Sequence, residues 1–320
     1  VEISYTTPLR RAWQRMQAML FRPFHLEKWL VLGFAAFLAE LLNAGGGGFG
    51  WKNSFSSRHD STAGAGRMLQ AAREGLVALL DKPLVLLMIA VGLLMAGVLL
   101  LVLAWVGARA RFVFLENVVT GRSEFVAPWH RHGRLGRSLF LWGAAFSFAW
   151  LLPFFAVLVP LLGTLESLVR NLDPVLPSFA GLGLGALAAL AMVLVLGFVM
   201  FLMNHFVVPL MLMYDETATR AWARFWPLLT AHPGEFVACA LFAMVVWTGT
   251  FVALAVAGVA TCCIGLVLMM IPYVGTVVLL PVFVTARAFG PAFLAQYGPE
   301  WDLFAAREER VAGTGGPLPG

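Results

Sequence analysis

Four stretches of this chain carry no Asp, Glu, Lys or Arg: Pro83–Val106, Leu139–Leu165, Pro174–Tyr214 and Phe236–Ala286. A helix needs about 20 apolar residues to cross the hydrocarbon core of a bilayer, and a backbone in lipid must satisfy its own hydrogen bonds. These runs restrict the chain to an all-α, polytopic membrane protein. Composition agrees: 12% of the 320 residues are charged, against about 25% in soluble domains. Mean hydropathy is +0.84.

Each of the first three runs predicts one span. The last is long enough for two, with a tight turn at Gly258–Gly265, and Leu26–Ala44 predicts a shorter first span edged by Glu27 and Lys28. The expectation is about six transmembrane helices. The first reads as a full crossing lengthened by snorkelling of Lys28, with a re-entrant segment around its uncharged part, Trp29–Ala39, as the alternative. Alternating these spans puts most Lys and Arg on the side of both termini, which the positive-inside rule makes cytoplasmic. The net charge of +5 then faces anionic lipid and calls for no nucleic acid. The opening segment reads as a basic amphipathic helix and not as a cleavable signal peptide.

That opening helix starts at Thr7-Pro8, a capping residue followed by a proline suited to the first turn. Leu9, Trp13, Met16 and Leu20 share one face, and Arg10, Arg11, Gln14, Arg15 and Gln17 fill the rest. Such a helix is expected to lie in the headgroup plane, Trp13 at the interface and Arg15 toward phosphate. Ala218, Trp222, Phe225 and Leu229 repeat the pattern, with Arg224 two residues after its Trp and Pro227 set to kink or shorten the helix. A weaker copy holds Trp129 and Arg131. Each expected unit ends on a Phe-Val pair: Phe112-Val113, Phe206-Val207 and Phe283-Val284. The chain thus reads as one transmembrane domain, 1–297, of three units (1–119, 120–214 and 215–297), each an interfacial elbow helix and a two-span hairpin. A cytoplasmic tail, 298–320, follows, its end disordered. The Gly/Ser-rich stretch Asn43–Gly66 predicts a flexible loop, and Met68, Leu69, Ala72, Leu76, Leu79 and Leu80 predict an amphipathic face after it.

Candidate chemistry is sparse. Asn204-His205 reads either as an intramembrane polar site, relaying a proton or binding a ligand between helices, or as an interfacial pair bonded to neighbours. Glu40 stands near the end of the first span, and Glu116 reads either as an acid or as a carboxylate neutralised at the surface by Arg109 or Arg111. His130 and His132 belong to a basic segment, where a solvated or phosphate-facing role is expected; His25, His59 and His232 are isolated. HExxH, GxSxG and a Walker loop are absent. Gly181–Gly185, GLGLG, suggests close helix packing. Cys239, Cys262 and Cys263 form no CxxC and read as packing residues, so no zinc site, metal or cofactor is expected. Pro153, Pro160, Pro209, Pro272 and Pro281 fall inside spans, where proline is tolerated.

Four blocks, AWQRMQAMLFRPFHLEKWLVLGFAAFLA, RARFVFLENVVTGR, HFVVPLMLMYDETATRAWARFWPLLTAHPGEF and IPYVGTVVLLPVFVTARAFGPAFLAQYGPEWDLF, resemble a bacterial family of multi-pass membrane proteins of uncharacterised role. That family is similar to the membrane domain attached to some glycerophosphoryl diester phosphodiesterases. The resemblance spans nearly the whole chain outside the Gly-rich loop and the tail. It implies no catalytic residues, because the catalytic barrel with its metal site is missing. It also implies an acidic residue where His205 stands, and so imports no role there. The expectation is a non-enzymatic scaffold or lipid-interacting accessory of the bacterial inner membrane, with anionic lipids and a membrane-protein partner of unknown identity. The alternative is a transporter or flippase-like protein for a lipid or small amphiphile.

Overall fold

The computed structural model describes residues 3–22, 24–40, 82–171, 176–261, 265 and 271–307, and every regular element among them is helical. The expected Gly-rich loop, the amphipathic face Met68–Leu80, Cys262, Cys263 and the end of the tail lie outside these residues. In chain order the helices are α1 (Thr6–Leu20), α2 (Leu26–Glu40), α3 (Pro83–Thr120), α4 (Val126–Arg131), α5 (Gly133–Asn171) and α6 (Leu176–Leu202). A π turn (Met203–Val207) then leads into α7 (Val208–Tyr214), followed by α8 (Ala218–Ala231), α9 (Pro233–Ala260), α10 (Pro272–Val278) and α11 (Leu280–Leu294).

Four segments are long and apolar enough to span a membrane: Pro83–Thr120, Gly133–Gly163, Gly183–Tyr214 and Pro233–Ala260. The two outermost expected spans do not reach that length among the described residues. α2 has 15 residues, about 22 Å of helix. The last expected span is broken at Leu279 into α10 and α11, with Pro281, which has no N–H to donate, in the opening turn of α11. α2 lies along α10, and the Tyr273 hydroxyl donates to the Leu30 carbonyl at 3.0 Å.

The chain divides into two compact units, one from the described parts of 1–49, 104–143 and 197–320, the other from those of 50–103 and 144–196. The second holds the apolar outer lengths of α3, α5 and α6. Leu84, Leu87, Met88, Leu93 and Leu94 of α3 are each more than half exposed, an arrangement that only a lipid solvent tolerates. Here the GLGLG expectation has a partial counterpart, since Gly185 packs against Leu161, whose methyl would have to shift to admit a Cβ. Pro153 and Pro160 both sit within continuous α5.

The first unit carries the buried core. Phe112, Phe114, Phe206, Phe225, Phe236, Phe289 and Phe293 are all inaccessible. Phe206 stacks on Phe225 at 5.6 Å and meets Phe236 edge-on at 5.2 Å, geometries that aromatic quadrupoles favour. α11 runs against the π turn so closely that a Cβ on Gly290 would collide with the His205 carbonyl. α3 ends at Gly121, whose φ of +70° is the left-handed conformation that terminates helices, its N–H bonding to the Asn117 carbonyl at 2.9 Å.

The elbow helices share a habit of packing. α4 leans on the end of α3 and α8 on the π turn and α7, in each case the helical segment before it; α1, first in the chain, packs on α11. Ser4 donates its N–H to Gln296 at 3.0 Å, and Tyr5 stacks on Phe293 at 6.0 Å.

Candidate functional site

The elbow faces match their expected positions at Met16, Leu20, Ala218 and Phe225 and depart from them at the tryptophans. On α1 the inward seam is Pro8, Ala12, Met16 and Leu20, while Trp13 is 48% exposed. On α8 it is Ala218, Ala221 and Phe225, with Trp222 half-buried at its edge. The residue before each Trp and the one three after it go inward: Ala12 and Met16, Pro128 and His132, Ala221 and Phe225. Tryptophan is broad and carries an N–H, so it suits the rim more than the seam. Pro227 neither breaks nor ends α8.

The three elbow arginines, expected to meet headgroups, have partners within the chain. Arg15 donates from Nε to the Val118 carbonyl at 3.2 Å and from Nη2 to that of Val119, while its guanidinium lies 4.1 Å from the Phe304 ring centre. It thus caps the C-terminus of α3, where carbonyls lack intrahelical donors. Arg131 pairs with Glu116 at 2.8 Å. Arg224 grips Glu216 with two N–H groups, at 2.7 and 3.3 Å, and covers the Tyr214 ring at 4.1 Å. That hydrogen bonding holds the Glu216 carboxyl below the usual range and raises the guanidinium. Two of the three elbow tryptophans are similarly occupied: Trp129 stacks on Phe125 at 5.5 Å, and Trp222 on Trp142 at 5.7 Å.

Glu116 is a buried carboxylate, 4% exposed, at the meeting of α3 and α4. Besides Arg131 it takes a hydrogen bond from His132 and lies 3.9 Å from Arg307. His132 is therefore a buried hydrogen-bond partner of Glu116, a correction to its expected solvated role, whereas His130 is exposed. Neither Arg109 nor Arg111, the expected neutralisers, pairs with Glu116 among these contacts. Beside the cluster, the Asn117 amide clips the following loop, donating to the Glu124 carbonyl at 2.7 Å and accepting its N–H at 3.2 Å.

Three further pairs join distant parts of the first unit. Buried Arg287 of α11 bonds Glu40 of α2 at 3.1 Å. Exposed Arg134 bonds Asp215 at 2.6 Å, tying the start of α5 to the left-handed residue that ends α7. The Tyr297 hydroxyl donates to Glu235 at 2.6 Å, and burial, then that carboxylate, push its ionisation up. Sequence spacing gave no signal for these pairs.

Asn204 and His205 both lie in the π turn, a geometry that often marks a functional position in a helix. Asn204 Nδ2 donates to the Met200 carbonyl at 2.9 Å, whereas its buried Oδ1 has no partner among the described residues. The His205 ring sits 4.6 Å from that of Phe201 and 6.4 Å from that of Phe289. No group of three His, Cys, Asp or Glu side chains among the described residues could hold a metal.

Long lipid-suited helices, with ion pairs collected where elbow helices meet helix ends, define a helical membrane protein with several apolar helices. The chain belongs to a family of unknown function, DUF7544, which matches residues 4–299. No curated protein and no solved structure matches it. Membership brings no activity with it and no link to phosphodiesterase membrane domains.

Proposed function

We propose that this chain is a non-catalytic membrane protein of the bacterial inner membrane, both termini cytoplasmic, acting as a scaffold or lipid-interacting accessory. The observation that carries the reading is the outward face of α1. Trp13, Arg10, Arg11, Gln14 and Gln17 are exposed there, and neither Arg10 nor Arg11 has an acidic partner among the described residues. Exposed Phe21, Phe24 and Leu26 continue the surface beyond the helix. An aromatic rim beside unpaired cations suits the boundary between acyl chains and phosphates. The headgroup role thus passes from Arg15, Arg131 and Arg224 to Arg10 and Arg11.

The test is native mass spectrometry of the gently extracted protein with added phosphatidylglycerol. Replacing Arg10 and Arg11 together by Ala is expected to lower the number of retained lipids. Unchanged retention counts against the reading.

The π turn and the partnerless Oδ1 of Asn204 favour a second reading, a transporter or flippase-like protein for a lipid or small amphiphile. Lipid scrambling in proteoliposomes that disappears in Asn204→Leu supports it; no scrambling by the wild type removes it.

A further inference from the structure

Arg109 lies just beyond the uncharged run that ends at Val106, where α3 enters the first unit. A guanidinium carries five N–H donors and no acceptor, and in a membrane helix an unpaired charge is costly. Two nearby arginines obey that rule: Arg131 has Glu116, and Arg134 has Asp215. Arg109 does not. No carboxylate pairs with it among the described residues, and its Nε is sealed from solvent without an acceptor.

What surrounds it is aromatic and close-fitting. The guanidinium carbon lies 5.1 Å from the ring centres of both Trp105 and Trp129, which meet each other edge-on at 6.3 Å. Gly133 and Gly136, in the first turn of α5, press on the Arg109 side chain, and neither leaves room for a Cβ. The side chain is thus held in place by ring faces and bare backbone, and it remains partly exposed. On the same side of α5, one turn on from Gly133, Arg137 is exposed and also lacks a carboxylate among the described residues.

A fixed, partly open guanidinium without a counter-charge, between two tryptophans at the end of an apolar run, matches one chemistry. A phosphate ester accepts two parallel N–H bonds from its end-on edge, and the indole walls suit the glycerol and upper acyl chain of a lipid. We infer that Arg109, between Trp105 and Trp129, binds a phosphate oxyanion, supplied by a phospholipid headgroup or by free phosphate. This rests on the lipid-interacting reading and places a specific site apart from the α1 face.

The experiment compares retention of phosphatidylglycerol, of diacylglycerol with the same acyl chains, and of inorganic phosphate on the full chain in neutral detergent. The variants are Arg109→Met, Arg109→Lys and, as a control, Arg122→Ala. Wild type and the control are expected to hold phosphatidylglycerol about tenfold more tightly than Arg109→Met, with Arg109→Lys between them. If inorganic phosphate competes at the concentration where it binds alone, the oxyanion site stands with free phosphate as its source; if it fails to compete, the source is lipid. Equal binding of phosphatidylglycerol and diacylglycerol by the wild type overturns the inference, even if Arg109→Met fails to fold. So does unchanged retention in a folded Arg109→Met. Loss of lipid on replacing Arg10 and Arg11, but not Arg109, sinks this site and leaves the α1 reading intact; no retention by any form sinks both.

Discussion

Arg15 donates from Nε to the carbonyl of Val118 at 3.2 Å, so the first helix of the chain closes the C-terminal end of α3. Charge-assisted bonds to carbonyls and a cation at a helix C-terminus are each worth up to about 2 kcal/mol or more in partly buried settings. Arg15→Met is expected to lower unfolding stability by about 2 kcal/mol, whereas Arg11→Ala, on the exposed face, changes it by less than about 0.5 kcal/mol. Denaturant titration in mixed micelles separates the two. Equal effects would mean that the cap contributes nothing.

Glu116 draws together His132, Arg131 and Arg307. Removing one member of a buried pair strands the other, typically at about 3–5 kcal/mol. Glu116→Ala is expected to fall in or just below that range, because Arg131 can turn to solvent, and Glu116→Gln to cost less. The same titration measures both. A loss from Glu116→Ala under about 1 kcal/mol would show the cluster to be dispensable.

Arg224 depresses the Glu216 ionisation, so the sign of its pH dependence is fixed. A carboxyl with a lowered folded pKa contributes stability that is present above its unfolded value, about 4.3, and lost as pH falls through the folded value. Both side chains are partly exposed, so the contribution is at most about 1 kcal/mol. The stability gap between wild type and Arg224→Met should shrink from pH 7 to pH 3. A gap unchanged at pH 3 would assign the effect to stacking on Tyr214.

Tyr297 runs the other way. Its folded pKa is raised, chiefly by burial, so the stability it brings is complete below its ordinary value of 10.0 and declines as pH rises beyond it. Tyr297→Phe should abolish the part of the alkaline loss that this hydroxyl causes. An identical alkaline profile in the variant would mean that ionisation of this hydroxyl contributes nothing to the alkaline loss.

Gly290 and Gly92 make a matched pair of glycines. A Cβ at Gly290 meets the His205 carbonyl, while one at Gly92 meets nothing within 4 Å. Gly290→Ala should destabilise by about 1–3 kcal/mol through overpacking, and Gly92→Ala should be neutral or stabilising by up to about 1 kcal/mol. Denaturant titration of each variant is the check; a tolerated Gly290→Ala would mean that α11 can draw away from the π turn without loss.

The apolar runs made the class of fold legible, because lipid leaves a backbone few alternatives. Hydropathy could not foresee the break at Leu279, since a split helix and a straight one share the same composition there. The elbows were legible as helices, and Met16, Leu20, Ala218 and Phe225 do face inward, but Ala12 and Ala221 take the seam places expected of Trp13 and Trp222. Leu9 and Trp13 compete with Pro8 and Ala12 for the seam, and small residues win where helices approach closely. Glu116 and His132 stand 16 residues apart, and Glu40 and Arg287 stand 247 apart. No local periodicity links such positions; only the packed fold brings them together.

The closure of α1 on α11 also has a bearing on synthesis. Ser4 and Gln296 are separated by 292 residues, and a ribosome adds roughly 5–20 residues per second. The amphipathic seam of Ala12, Met16 and Leu20 is therefore made about 15–60 seconds before the helix that covers it. Until then its nearest shelter is the membrane surface, so α1 has that long to settle there before α11 arrives to cover its seam.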